Sequence, residues 1–316
     1  MTGVAHTYDI AMRVRFRGQE RRRGVLLEGP AGWGEFSPFP EYDAVTSAPW
    51  LAAAREAAND GWPPPLRTRI PVNTTVPAVG PDQAHALVAA SGCMTAKVKV
   101  AERGQSLADD IARVEAVRDA LGPGGAIRVD ANAGWDLDEA TAALTVLQKF
   151  GLEYAEQPVA SLPDMASLRR RVDVALAADE SVRRAADPLH IAGLEAADIV
   201  VLKVQPLGGV RACLRVAEAC GLPVVVSSAI ETSVGIAAGV ALAASLPDLP
   251  YACGLGTVPL LDADVCSDSL VPVDGALSVM LSSPAPDRID LVAADSATAA
   301  CWEQRRAAAQ AAIDAG

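Results

Sequence analysis

From Ile70 onward one pattern repeats about every 25 residues: a short β-branched run, then an alanine-rich stretch with helical periodicity. Parallel strands need a crossover long enough to hold a helix, so this alternation predicts successive βα units rather than hairpins. The runs fall at 71–76, 95–100, 127–132, 153–157, 174–180, 199–204, 223–228 and 251–257. Eight of them are enough to close a barrel. Between them, apolar residues recur at three and four spacing, as at Leu107, Ile111, Val114 and Val117. The expected fold is α/β: a modified TIM-type (β/α) barrel over 69–262, with a smaller α+β capping domain built from residues 1–68 and a tail, 263–316, that packs back on barrel and cap.

The capping segment opens with strand-like alternation from Tyr8 to Glu28, read as a hairpin turning at Arg21-Arg22-Arg23. The stretch from Gly32 to Pro40, and within it Trp33 to Pro40, is rich in glycine, proline and aromatics. It is either a structural corner or a lid over a ligand. A helix is expected from Trp50 to Ala58, and Pro63-Pro64-Pro65 ends the unit. In the tail, 270–280 resembles a short hairpin and 297–312 a terminal helix.

A formal net charge of −12 excludes a general nucleic-acid surface and a polybasic membrane contact. A small-molecule partner is the default, and an anionic one needs a local cluster of cations. The six cysteines show no Cys-x-x-Cys and no disulfide framework, as expected for a reducing cytosol. Residues 1–9 lack a signal-peptide pattern, and the weakly polar run 233–246 is too short to span a bilayer. A cytoplasmic location is expected; oligomeric state is not legible.

In a barrel of this type the active site lies at the C-terminal ends of the strands. Lys97 and Lys99, two apart on one strand, must point the same way, while Ala96, Val98 and Val100 face an apolar layer. Crowding and partial burial push at least one amine toward neutrality, which makes it a base. The plain alternative is an edge strand showing lysines to water. The next strand ends with Arg128, Asp130 and Asn132 on one face, the following one offers Glu156, and the third ends in Asp179-Glu180. Acids at strand ends can simply cap the helices that follow. Three on neighbouring strands, however, cannot all stay ionised without a counter-charge, and a divalent cation with oxygen ligands supplies one. Alternation alone does not choose between Asp179 and Glu180. Lys203 stands in another apolar strand, where a plain core would not place it. Ser227, Ser228 and the Gly254-Leu255-Gly256-Thr257 stretch offer hydroxyls and backbone N–H groups suited to a carboxylate. His6, His85 and His190 lie outside these strand ends and read as surface or capping residues.

Lys97-Val98-Lys99, Asp130-Ala131-Asn132, Glu156-Gln157-Pro158, Asp179-Glu180-Ser181 and Lys203-Val204-Gln205-Pro206 resemble, in order and spacing, the enolase superfamily, muconate-lactonizing-enzyme subgroup. The resemblance implies a lysine base working with bound metal. It implies Asp130, Glu156 and Asp179 as ligands of Mg²⁺, with Mn²⁺ as a substitute. Lys99 would take the proton α to a carboxylate, and Lys203 would stabilise the enolate from the opposite face. Lys97 would hold the carboxylate and keep the pKa of Lys99 low, with Arg128, Asn132, Ser227 and Ser228 as further substrate contacts. Within the subgroup, the trimmed cap, Arg128 ahead of Asp130, and the Ser227–Gly235 stretch resemble a lyase that dehydrates a succinyl-hydroxycyclohexadiene carboxylate, a step of menaquinone biosynthesis. The alternative is an N-acylamino acid racemase or dipeptide epimerase. Epimerases of the group carry an acidic motif after the last strand, where this chain has Gly254 to Thr257. A Schiff-base aldolase using Lys203 and a non-catalytic binding barrel are the remaining readings.

Overall fold

The computed structural model describes residues 5–183 and 193–315, and the expectation for His190 lies outside them. Eight parallel strands form the barrel: β4 (Arg69–Val76), β5 (Thr95–Lys99), β6 (Ala126–Asp130), β7 (Leu152–Glu156), β8 (Leu176–Ala178), β9 (Ile199–Leu202), β10 (Val224–Val226) and β11 (Cys253–Gly256). Each lies within a run expected from the sequence or within two residues of it. Their order around the sheet is β10-β9-β8-β7-β6-β5-β4-β11. A single parallel bridge, Ser227 to Gly254, brings the two ends together and nearly closes the ring. β5 and β9 stand four places apart in a ring of eight, and therefore face each other across the mouth.

Alternation divides every strand between two environments. Ala96, Val98, Ile127, Val129, Ala155, Val200 and Leu202 face the surrounding helices and belong to the main apolar core. The opposite parity points inward, where Tyr154, Ala177, Ile199, Val201 and Val225 fill the lower barrel. One step higher on the same parity lie Lys99, Asp130, Glu156, Asp179 and Lys203. Apart from Arg128, the lower interior is thus mostly apolar, while most of the charge gathers above it.

The helices start where the sequence supplies caps. α2 (Pro81–Ser91) has proline in its first turn, α3 (Leu107–Leu121) is opened by a reciprocal Ser106–Asp109 capping box, and α4 (Leu137–Leu147) by an Asp136–Glu139 box. α5 (Leu162–Arg169) starts at Ser161. α6 (Glu180–Arg183) and α7 (Val204–Leu207) are single turns following β8 and β9. α8 (Val210–Cys220) and α9 (Ser233–Ser245) lack an N-cap side-chain bond of their own. No helix among the described residues is long and apolar enough to cross a membrane.

The cap is a three-stranded antiparallel sheet, β1 (Ala5–Phe16), β2 (Gln19–Gly29) and β3 (Gly32–Phe36), covered by α1 (Ala44–Arg55) and a π-helical turn, Glu56–Asp60. The helix therefore begins earlier than expected, at its Asp43 cap. The hairpin does not turn at Arg21–Arg23, which lie within β2. Arg17 and Gly18 form the two-residue turn, both at positive φ (51° and 72°), as a tight antiparallel hairpin requires. Nor is Gly32–Phe36 a loop: it pairs with β2, and a Cβ at Gly34 would lie 1.8 Å from the Ala54 carbonyl oxygen, so glycine lets α1 press on the sheet. In the tail a tight hairpin does form, Val273 bridging Ala276 around Asp274-Gly275, and its second arm, β12 (Ala276–Ser278), also pairs antiparallel with β4; α10 (Ser296–Ala315) lies on the cap, with Trp302 edge-on to Phe36. All six cysteines are free, and only Cys301 is exposed.

Candidate active site

Strand register delivers the charged residues to one level. Lys99 stands beside Asp130, and Asp130 beside Glu156. Asp130, Glu156 and Asp179 are each 1% exposed, and Lys97 and Lys99 are buried with them. The Lys97 ammonium donates to both Glu156 oxygens, at 3.1 and 3.0 Å, and lies 3.4 Å from Asp130. Lys99 donates to Asp130 Oδ2 at 2.5 Å and also to Asn132 Oδ1. Across the ring, Lys203 donates to Asp179 Oδ2 at 2.6 Å. Asp179 shares the inward parity of Ala177, while Glu180 accepts from the Asn132 amide at 3.3 Å. Gln157 fixes the end of β8, since its side-chain Oε1 accepts the N–H groups of Asp179 (2.9 Å) and Ser181 (3.1 Å).

The two lysines of β5 are driven apart in basicity. Burial lowers Lys99, opposed by Asp130 and assisted by the neighbouring Lys97 charge. Lys97 is also penalised by burial, but Glu156 and Asp130 outweigh that penalty and raise it. One amine is held as a fixed cation while its neighbour is eased toward the neutral, proton-accepting form. Burial, Asp130 and Asp179 push the Glu156 carboxyl up to about 7 against the pull of Lys97 and Lys203. Asp130 is penalised by burial too, yet Lys99 and Lys97 hold it well below the usual carboxylate range.

Above these groups lies a narrow cleft between the barrel mouth and the cap. Lys97, Lys99, Asp130, Lys203, Ser227 and Ser228 line it, with Gly254 of β11 and Thr257 just after that strand. The Ser228 and Thr257 hydroxyls are 2.8 Å apart. Asn132 reaches the site through Lys99 rather than through the cavity wall. Arg128 is not brought there. One layer lower, it bonds to Glu153 (2.5 Å), the Asn73 side chain (3.2 Å) and the Ala252 carbonyl (2.6 Å), and stacks on the Tyr154 ring at 4.7 Å. Its two-residue offset from Asp130 gives the right face but the wrong depth.

Sequence reasoning missed the rest of the wall. Phe16 and Arg17 at the β1–β2 turn, and Phe39 after β3, close the cavity from the cap, with Thr75, Ala229 and Ile230 from the barrel. The Phe16 ring centroid is 4.9 Å from the Lys99 ammonium. Thr75 Oγ1 has no protein partner among the described residues. The aromatic content of 32–40 pointed to Phe39, but nothing in the local pattern says that a hairpin tip will meet a barrel mouth.

The donor set fits a hard divalent cation: three buried carboxylates, all oxygen, on adjacent strands, each matched by an ammonium. Among the described residues no three His, Cys, Asp or Glu side chains are drawn up as a finished cage, because lysine ammonium groups bridge the acids instead. Positive charge at this spot is what the carboxylates require.

Comparison with known proteins bears on the family and the fold. Residues 81–286 match the "Enolase C-terminal domain-like" family and residues 7–58 the "Enolase N-terminal domain-like" family. An o-succinylbenzoate synthase of Thermobifida fusca is 61% identical over 99% of this chain and 97% of its own length. One of Mycobacterium tuberculosis strain H37Rv is 52% identical over 94% and 90%. In fold, the chain resembles the L-Ala-D/L-Glu epimerase of Bacillus subtilis, with a TM-score of 0.76, 22% identity and coverage of 90% of this chain and 98% of that one. A muconate cycloisomerase of Pseudomonas fluorescens gives a TM-score of 0.76 at 22% identity, covering 93% and 98%. With near-complete coverage at such identity, and with lysines and acids standing where the motifs place them, the chain belongs to the enolase superfamily and, within it, to the o-succinylbenzoate synthase family.

Proposed function

We propose that this enzyme dehydrates 2-succinyl-6-hydroxy-2,4-cyclohexadiene-1-carboxylate to o-succinylbenzoate, with Lys99 as the base and Lys203 as the cation on the opposite face. The observation that carries the proposal is the placement of the two lysines on strands four apart in the ring, both lining one cavity. Lys99, with its basicity lowered by burial, takes the proton from the carbon α to the substrate carboxylate. The C–H electron pair moves into the carboxylate, where the Lys203 charge and the fixed Lys97 cation meet the developing negative charge. Return of electron density expels the β-hydroxyl; protonated Lys99 delivers its proton to it, and water leaves. The ring becomes aromatic, so this second half is downhill. Ser227, Ser228 and Thr257 supply hydroxyl donors for the substrate's carboxylates.

The superfamily works with a divalent metal. Here we assign Asp130, Glu156 and Asp179 as the residues that would hold Mg²⁺, or Mn²⁺ in its place. When bound, such an ion supplies Lewis-acid stabilisation of carboxylate charge. The curated relatives, at 50–61% identity, favour dehydration over racemisation or epimerisation. The test is ultraviolet absorbance with the cyclohexadiene substrate. Turnover is expected with Mg²⁺, none after exhaustive EDTA treatment, and recovery on adding Mg²⁺ back. Exchange of the α-proton of an N-acylamino acid in deuterated water without dehydration of the diene would overturn the reading.

A further inference from the structure

Of the barrel helices that begin without a capping side-chain bond of their own, α8 and α9 each have a glutamate of the cap at their start. α8 starts after Gly208-Gly209, and the N–H groups of Val210 and Arg211 donate to the Glu56 carboxylate. A Cβ at Gly209, whose φ is +123°, would lie 2.1 Å from Glu56 Oε2, so close approach and backbone conformation both call for glycine. At α9 the N-cap residue is Thr232, whose hydroxyl makes no bond to the helix. It donates instead to Glu35 Oε2 at 2.5 Å, and the same oxygen accepts the N–H groups of Thr232 and Gly235, both at 3.1 Å. Glu35 thus bonds the third-residue N–H that an N-cap side chain normally takes. Its other oxygen accepts the hydroxyls of Tyr8 and Ser37, each at 2.7 Å, which ties it into the cap.

The segment between β10 and α9 is the part of the cavity wall that carries Ser228, Ala229 and Ile230. Ile230 is β-branched yet sits at φ +66°, a conformation that persists only when its surroundings impose it. Bonds within the segment contribute, the Ile230 N–H to Ser228 Oγ at 3.4 Å and the Ala229 N–H to Glu231 at 2.7 Å, and the cap holds it from both sides. On one side Arg22 Nε donates to the Ile230 carbonyl at 2.8 Å, its guanidinium anchored on Ser37. On the other side Glu35 holds Thr232.

We propose that Glu35 is a positioning residue for the substrate pocket: acting as the N-cap of α9 from the other unit, it holds the 228–232 segment in the strained shape that forms one wall. The inference rests on the cavity being the substrate site, as in the function proposed above. It assigns the cap a part in the site beyond covering it.

Steady-state kinetics and amide hydrogen exchange on the full-length protein test this, with Tyr8→Phe as the comparison. That variant removes one bond to the same carboxylate on the cap side and leaves the helix end intact. Its KM and kcat should stay within about twofold of the parent even where Tm falls. Glu35→Ala should raise KM by about fivefold or more, as losing a buried polar contact does, with a smaller change in kcat and faster exchange of amides 228–236. Glu35→Gln should restore KM, because its carbonyl oxygen can face Thr232 and Gly235 while its amide turns to the hydroxyl oxygens of Tyr8 and Ser37. Should Glu35→Ala not fold, Glu35→Asp, which keeps the charge but loses the reach, should show the same KM and exchange changes in milder form. KM and exchange in the Glu35 variants matching Tyr8→Phe at equal loss of Tm would overturn the inference. If the parent fails to dehydrate the diene, the functional reading falls, and exchange at 228–236 still decides what Glu35 does.

Discussion

Two groups of buried carboxylates in this molecule are neutralised in opposite ways. At the barrel mouth Asp130, Glu156 and Asp179 meet the ammonium groups of Lys97, Lys99 and Lys203. At the seam between cap and barrel, Glu35 and Glu231 meet a guanidinium, Arg22, together with hydroxyls and backbone N–H groups. Lysines can give up protons, and their flexible stems can yield a carboxylate to another cation. An arginine or a peptide N–H can do neither. The first arrangement suits chemistry and the second suits architecture, although both sit at similar depth. Changes at the mouth should therefore fall on turnover, and changes at the seam on stability and on substrate fit.

The largest effect is expected at Lys99. Removing a general base costs about 10²–10⁴-fold, and Lys99 serves as both base and acid, so Lys99→Ala should lose about 10³-fold or more in kcat with the fold intact by circular dichroism. A kcat within tenfold of the parent would remove the distinction between the two groups. Lys203→Ala comes next, since it deletes charge stabilisation and no proton transfer. A loss of about 10²–10³-fold in kcat is the scale for one electrostatic donor. Borohydride trapping of substrate on Lys203 would reassign it as a nucleophile.

The mouth was legible in the sequence for a physical reason. A charged side chain inside an apolar strand is costly, so Lys97, Asp130, Glu156 and Lys203 stood out against the βα pattern, and period-two alternation assigned them a common face. Depth was not legible: Arg128 shares that face but serves the lower barrel. The seam escaped because its partners are about 200 positions apart, as Glu35 is from Thr232 and Gly235, and caps supplied from another unit leave no local signature. The shift of the hairpin turn to Arg17-Gly18 had a local signal, an Arg-Gly pair, but the three arginines that follow looked more turn-like.

The seam should show itself in the pH dependence of stability. Burial and the nearby Glu35 push the Glu231 carboxyl up to about 7 from an ordinary 4.5, with Arg22 opposing. Between those values the folded chain holds a proton that the unfolded chain has released, so this group's contribution to stability is complete below about pH 4.5 and is lost as pH rises through 7. The loss is on the order of 1–3 kcal/mol. Glu231→Gln, whose carbonyl oxygen can still accept the Ala229 N–H, should flatten the fall in chemical-denaturation stability between pH 5 and pH 8 relative to the parent. Identical slopes in the two proteins would mean that the seam already keeps Glu231 ionised.

The smallest effect belongs to the wall that the seam supports. Ser228 lines the cavity without touching the acids, and its hydroxyl is bonded to Thr257 at 2.8 Å. If the wall serves fit and the lysines serve chemistry, Ser228→Ala removes binding that the ground state and the transition state share, which raises KM and leaves kcat alone. One hydrogen bond to a small ligand is worth about 1 kcal/mol, so KM should rise by about fivefold with kcat within twofold. A fall in kcat at constant KM would instead place the Ser228 hydroxyl among the groups that act in the transition state. The division between mouth and wall would then lie between Ser228 and Ile230 rather than between the two carboxylate groups.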